Sequence, residues 1–208
     1  MQGAGIRSRE TTISSPSPAE QLQSFIKAYP QAKWHSYEPV NRDNVLEGAK
    51  LAFGQPVETQ YKLENAEVIL SLDADFLYAG FPGFTRYVRD FAKRRNPDAG
   101  EMSRLYVVES TPTSTGAKAD HRAPLPAREI EQFANPLLGL LLSNTGFSSG
   151  PTGPPGFYPA LVRDLTSHRS SSVVIAGDHQ PPAVHAIAHA MNQALGNVGK
   201  TVFYTDPV

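Results

Sequence analysis

Three short segments combine polar side chains at spacings that support chemistry. The first is Ser71-Leu72-Asp73-Ala74-Asp75-Phe76-Leu77, where two acids stand at i and i+2 beyond an apolar run. Paired carboxylates there could hold a divalent cation or accept hydrogen bonds from a ribose or a pterin edge. Equally, Asp75 could cap a turn while Asp73 bonds nearby backbone amides. The second runs from Glu109 to His121 and sets Ser110, Thr111, Thr113, Ser114 and Thr115 beside Lys118 and Arg122. Hydroxyls and amides of such a run can donate to a phosphate or diphosphate while the cations balance its charge. The alternative is a Ser/Thr-rich surface loop anchored by Asp120. Gly116-Ala117-Lys118 lacks the G-x-x-x-x-G-K-[ST] spacing, so no P-loop is read there. The third segment is Ile175-Ala176-Gly177-Asp178-His179-Gln180-Pro181-Pro182. Gly177 permits a tight turn, and either proline suits the first helical position. The free N–H groups of that helix would face a ligand crevice, with Asp178, His179 and Gln180 projecting where a cofactor would lie.

Together these segments nominate Asp73, Asp75, Thr111, Thr113, Asp178, His179 and Gln180 as cofactor- or ligand-binding candidates, with no catalytic residue assignable. His185 and His189 share a helix face at i, i+4 and could ligate a metal, but Ala186 stands where a zinc hydrolase needs its glutamate base. A packed or hydrogen-bonded pair is the other reading, so no metal site is assigned. A metal-dependent hydrolase would have to draw on Asp73, Asp75, His179 and His185. His35 beside Trp34 reads as a structural pair. No G-x-S-x-G elbow and no G-x-G-x-x-G fingerprint occur, which argues against an α/β-hydrolase and a standard dinucleotide site.

The elements that must position these segments alternate between β-rich and amphipathic runs. Helices are expected from a Ser17 cap with Pro18 to Pro30, after Asn41 or Asp43, over Phe84 to Arg95, Pro126 to Leu142, Ala160 to His168 and Pro181 to Leu195. In the third of these, Tyr87, Val88 and Phe91 form the inner stripe, and Arg86, Arg89, Arg94 and Arg95 the wet side. Strands are expected over Ala32 to Tyr37, Val68 to Leu72, Arg104 to Val108, Ser172 to Ala176 and Thr201 to Tyr204. About five β-α repeats predict an α/β fold: a doubly wound, mostly parallel, Rossmann-like sheet of about five to six strands. In such sheets ligands bind beyond the carboxyl ends of the strands, where all three segments fall. Residues 1–16 read as an N-terminal extension or first strand. Residues 17–208 read as a single α/β domain, with a Gly/Pro/Ser-rich loop at 143–159.

Composition narrows the function. The chain has 208 residues, enough to bury roughly 70% of its unfolded surface without staples. Nineteen Lys+Arg against 20 Asp+Glu give a formal charge of −1, so no nucleic-acid partner is expected. With no cysteine, thiolate-ligated iron–sulfur clusters, disulfides and cysteine nucleophiles are excluded. The longest apolar patch, Pro136 to Leu142, is far too short to span a bilayer, so no direct membrane insertion is expected. Met1 to Ser17 lacks the apolar core of a signal peptide, so the chain as written is expected to be cytoplasmic.

The blocks LSLDADFL (70–77), RLYVVESTPTSTGAKADHR (104–122) and VIAGDHQPPAVHAIAHAMNQALGNVGKTVFY (174–204), with WHSYEPVNRDN (34–44), carry a resemblance. In this order they look like the molybdopterin oxidoreductase-like subunit of alternative complex III, a bacterial respiratory quinol-oxidising assembly. The resemblance runs over nearly all of the chain after about Thr12. It implies one α/β domain of a larger subunit, with iron–sulfur and cytochrome components of a membrane-bound respiratory complex as partners. The full-length family subunit is membrane-associated on the periplasmic side. In molybdopterin enzymes the corresponding loops cradle the dinucleotide of the pterin. Here Asp73-Ala74-Asp75 replaces Gly-x-Asn-Pro and Ser110-Thr111-Pro112 replaces Asp-Pro, while Ala119-Asp120 and Gly196-Asn197 keep their places in the pattern. Acids crowding a diphosphate would repel it. The expectation is a structural domain without its own redox centre or cofactor, molybdopterin being the group the pattern could still hold. The alternative is a pterin- or nucleotide-binding module or enzyme with its ligand at the strand ends.

Overall fold

Contacts divide the chain into two units, one up to Arg42 and one spanning Asp43–Pro207. The computed structural model describes residues 3–10, 13, 15–143 and 154–207. The first unit is a β-α-β turn of chain: β1 (Arg7–Glu10), α1 (Pro16–Ala28) and β2 (Lys33–Ser36), the strands parallel with Arg7 opposite Lys33. Pro16 opens α1 and Ser15 takes the cap position, two residues earlier than the Ser17 cap expected. Proline's fixed φ and missing N–H suit it to the first turn, where that donor would be unpaired anyway. The guanidinium of Arg9 lies 4.1 Å from the centre of the Tyr37 ring.

The second unit runs α2 (Asp43–Phe53), β3 (Glu58–Tyr61), β4 (Val68–Leu72), α3 (Phe84–Lys93), β5 (Arg104–Glu109), β6 (His121–Pro124), α4 (Ile130–Ser143), α5 (Phe157–Ser167), β7 (Ser172–Ala176), α6 (Pro182–Ala194) and β8 (Val202–Thr205). Its centre is a parallel four-stranded sheet in the order β6-β5-β4-β7. Helices on both faces make this a Rossmann-like α/β fold. Most of the expected Gly/Pro/Ser-rich loop, 144–153, lies outside the described residues.

Period-two alternation explains the two layers. Val68, Leu70, Leu72, Tyr106, Val108 and Val174 face one core, filled from α4, α5 and α6 by Phe133, Leu137, Leu161, Leu165 and Met191. Ile69, Leu105, Val107, Val173 and Ile175 face the other, against Phe76, Tyr87, Phe91 and Val202. All five residues of β4 and all five of β7 are buried. Full burial of one such Leu, Ile or Val contributes about 1.5–3 kcal/mol, which is why these continuous apolar runs are committed to the interior.

The central sheet has four strands rather than five to six: β6 joins it, but β2 pairs with β1 and the last strand pairs elsewhere. β8 begins one residue later than expected and pairs antiparallel with β3, a strand the sequence pattern did not announce. The burial of β3 is mixed, and its residues Glu58-Thr59-Gln60-Tyr61 carry no clean alternation. β7 is therefore an edge. That edge is sealed by side chains: Asn192 accepts from Val174 N at 3.0 Å and donates to Val174 O at 2.8 Å, and Thr201 Oγ1 donates to Ser172 O at 2.6 Å. Open edges invite pairing with other chains, and side chains cover this one.

Close helix packing completes the frame. A Cβ at Gly48 of α2 would stand 2.4 Å from His185 Cβ and 2.8 Å from Pro182 O. Only glycine admits that approach of α2 to α6.

Candidate functional site

The strand order fixes where a site can form. From β4 the chain goes to β5 on one side, while β7 returns to the other, so the connections diverge at the carboxyl ends of β4 and β7. This is the switch point at which open α/β sheets bind ligands. Asp73 follows β4 directly, and Gly177 to Gln180 follow β7. Main-chain bonds fix the two turns: Asp73 N donates to Val108 O at 2.7 Å, Gly177 N to Leu72 O at 2.9 Å and Gln180 N to Gly177 O at 2.9 Å. Asp73 takes φ +57, a left-handed conformation rare outside glycine and tolerated best by Asn and Asp.

The turns close on the Asp73 carboxylate, which is buried. Its Oδ1 accepts from Ser110 N at 2.9 Å, and the Ser110 hydroxyl lies 3.2 Å from both carboxylate oxygens. Its Oδ2 accepts from His179 Nε2 at 2.8 Å and from the Gln180 amide at 2.8 Å. A carboxylate offers about four lone-pair sites, and these donors fill them. Burial alone would push the Asp73 carboxyl up, but the bonds from His179 and Ser110 outweigh it and hold the pKa below the usual value. The bond to Asp73 raises the His179 pKa against the opposing effect of burial, with help from the charges of Asp73 and Asp178. The contact thus favours the carboxylate form of Asp73 and the protonated form of His179. Asp73 has no lone pair left over for a metal and is a poor general base.

Asp75 belongs to a second network. Its Oδ1 accepts from Thr115 N at 2.8 Å and Thr115 Oγ1 at 2.7 Å, and Thr115 Oγ1 in turn accepts from Leu77 N at 3.1 Å. Thr113 belongs to a third: its hydroxyl donates to Glu109 Oε2 at 2.6 Å and accepts from Gly116 N at 2.9 Å. Arg122 Nε also donates to Glu109. Asp120 receives both Nη atoms of Arg95 at 2.8 Å and the Leu105 N–H at 2.8 Å, so it anchors its segment.

Of the candidates, Asp73, His179 and Gln180 meet in one cluster. Asp75 and Thr113 tie their own loops, Thr111 is exposed, and Asp178 is half-buried. Ser110, Glu109, Thr115 and Arg122 complete the networks without having been nominated. One signal for them was available, the close spacing of an acid ending an apolar strand and a run of hydroxyls after it. Among the described residues no group of three or more His, Asp or Glu is placed to hold a metal ion, so Asp73, Asp75, His179 and His185 do not form a hydrolase centre. His189 Nδ1 lies 3.3 Å from the Tyr204 hydroxyl, and its ring packs 5.0 Å from Phe53. Asn197 links Asn192 and Ser172 in the interior, a folding role rather than a cofactor contact. No described helix is long and apolar enough to cross a membrane.

Fold and site define a Rossmann-like α/β domain whose strand-end loops bond to one another. No family model matches the chain, and no curated protein matches it. Among solved structures, the formyltransferase/hydrolase complex FhcABCD from Methylorubrum extorquens, determined in complex with methylofuran, contains a chain that superposes with a TM-score of 0.57 at 13% identity. The match covers 94% of this chain and 51% of that one, so this chain spans about half the length of its neighbour. At that identity the likeness is one of fold.

These findings overturn the expected membership in the molybdopterin oxidoreductase-like subunit of alternative complex III. The neighbour belongs to a formyltransferase/hydrolase complex, and of that expectation the Rossmann-like architecture alone stands. The iron–sulfur, electron-transport and periplasmic associations that came with it lose their ground. The physical reason lies in the motif residues. Asp73, Asp120 and Asn197 sit where they do because they hold strand ends and the β7 edge together, a demand any such sheet makes without a pterin.

Proposed function

We propose that this chain is a non-redox structural domain of a larger assembly, its strand-end crevice closed by its own side chains and holding no cofactor. The reading rests on one observation: the Asp73 carboxylate takes up the Ser110 N–H, His179 and Gln180 donors that a ligand anion at the switch point would need. A phosphate arriving there would have to displace a carboxylate already bonded on both oxygens, and would meet its charge. The fold shared with a chain of a multi-subunit complex supports partner subunits as its working context, with surfaces rather than a reaction centre as its contribution.

A second reading, a pterin- or nucleotide-binding module contacting Thr111, Thr113, Asp178, His179 and Gln180, is favoured by a different atom. Gln180 Oε1 is buried and has no hydrogen-bond partner among the described residues, so it could accept from a ligand N–H. One experiment separates the two. Protein purified without oxygen is denatured, the released small molecules are identified by mass spectrometry, and molybdenum, tungsten, iron, zinc and manganese are quantified on the same sample. The structural reading expects a folded protein with no near-stoichiometric ligand. Near-stoichiometric pterin or nucleotide would overturn it in favour of the second.

A further inference from the structure

Away from the strand ends, α3 and the turn after Ser114 border a groove of about 420 Å3. Leu77, Val88 and Phe91 form its floor, and Arg95, Ser114 and Lys118 stand around it. Helical spacing places Val88 with Tyr87 and Phe91 on the inner stripe, yet Val88 is 39% exposed while those two are 3% and 6%. The stripe is therefore wider than the core it covers, and its outer edge surfaces in this groove.

The two charged side chains that line the groove, Arg95 and Lys118, are both cations. Elsewhere on α3 the cations are compensated: Arg86 and Arg89 lie 4.0 and 3.0 Å from the buried Asp90, and Lys93 lies 3.9 Å from Glu64. No acid lines the groove. Arg95 is held rigid by Asp120 and by Ser103 O at 2.6 Å, so it supplies a fixed wall. Lys118 is exposed and has no acid at ion-pair distance among the described residues, which leaves its ammonium available as a point charge beside the Ser114 hydroxyl. Apolar floor, hydroxyl and the ammonium of Lys118 complement an apolar body with an anionic head. The volume lies in the range of about 300–1,000 Å3 typical of small-ligand sites.

We propose that the groove between α3 and the 114–118 turn binds a small apolar carboxylate, its hydrocarbon or aromatic part against Leu77, Val88 and Phe91 and its carboxylate on Lys118 and Ser114. The test is titration of the whole chain, followed by backbone amide shifts in solution NMR, with three probes. These are 3-phenylpropionate, its neutral amide, and the peptide acetyl-Ala-Ala-Ala-Phe with a free C-terminal carboxylate. Saturable shifts confined to Leu77, 88–92 and 114–118 are expected with 3-phenylpropionate, and about fivefold weaker binding of the amide. Lys118→Glu changes a solvent-facing side chain and should melt with the parent protein. Val88→Thr keeps the volume at a position that is 39% exposed and should melt close to it. Both should weaken the acid, Lys118→Glu about fivefold or more. Absence of saturable shifts, shifts elsewhere, equal binding of acid and amide, or unchanged binding by both variants would each overturn the proposal. Binding of the peptide more than tenfold tighter than the free acid would overturn it too, by making the groove a peptide dock.

Discussion

The main-chain carbonyl of Asp73 lies so near Gly177 that a Cβ at position 177 would stand 2.1 Å from its oxygen and 2.7 Å from its carbon. Both atoms belong to backbone, so neither can swing aside as a flexible side-chain tip can. This contact lets the loops after β4 and β7 touch, and it brings His179 and Gln180 within reach of the Asp73 carboxylate. Gly177→Ala is expected to destabilise the protein by about 1–3 kcal/mol or more, the usual cost of overpacking a closed site. Thermal or urea unfolding measures this directly. A variant as stable as the parent would mean the loops have freedom that this contact denies them.

The Asp73–His179 pair gives stability a defined pH window. His179 has its folded pKa raised above 6.5, so its contribution is full below 6.5 and is lost as pH rises through the folded value. Asp73 has its folded pKa lowered below 3.8, so its contribution is present above 3.8 and is lost as pH falls through the folded value. Both are therefore in place between 3.8 and 6.5. NMR titration of the His179 ring should give a midpoint above 6.5 that drops in Asp73→Asn. A midpoint at or below 6.5 in the parent protein would refute the ion pair.

How much of this could be read from the chain depends on what each residue answers to. Val68 to Leu72 and Ser172 to Ala176 have the bounds expected of them, because a strand buried on both faces is written as a continuous apolar run. β3 and β6 (Glu58-Thr59-Gln60-Tyr61 and His121-Arg122-Ala123-Pro124) escaped, because their partners rather than their own patterns make them strands. The three polar segments were found for a sound reason, since topology places strand ends at the crevice. Their pairing was not legible: whether Asp73 faces a ligand or His179 depends on atoms 106 positions apart in sequence. The same limit misled the family resemblance, which read similar strand-end residues as membership in a molybdopterin oxidoreductase-like subunit, where the solved neighbour is a chain of a formyltransferase/hydrolase complex.

His189 tests the packing of α6 against β8 and α2. Burial lowers its pKa to about 4, and the neighbouring His185 adds to the effect. A histidine buried neutral destabilises the fold once the unfolded chain prefers to bind its proton. Stability from this group is thus full above 6.5 and is lost as pH falls toward 4, on the order of 3 kcal/mol in all. His189→Phe should flatten that acid limb, provided the ring fits beside Phe53 and Tyr204. An acid limb identical in parent and variant would assign it to other groups, and a His189 ring signal titrating near 6.5 would show the site to be wet.

Asn192 offers the sharpest view of the β7 edge. One side-chain amide pairs with both the N–H and the C=O of Val174, and its Oδ1 also accepts from Asn197 Nδ2 at 2.9 Å. In Asn192→Leu the volume is nearly kept but the buried Val174 groups lose their partners, at about 1–3 kcal/mol for each orphaned group. The variant should therefore unfold roughly 2–4 kcal/mol more readily, and the Val174 amide should exchange with solvent at least tenfold faster relative to its β4-facing neighbours. Exchange at Val173 and Ile175, whose ladder bonds run to β4, provides the internal control. If Val174 keeps its protection in the variant, another group covers the edge, and Asn192 is packing material rather than the seal on this sheet.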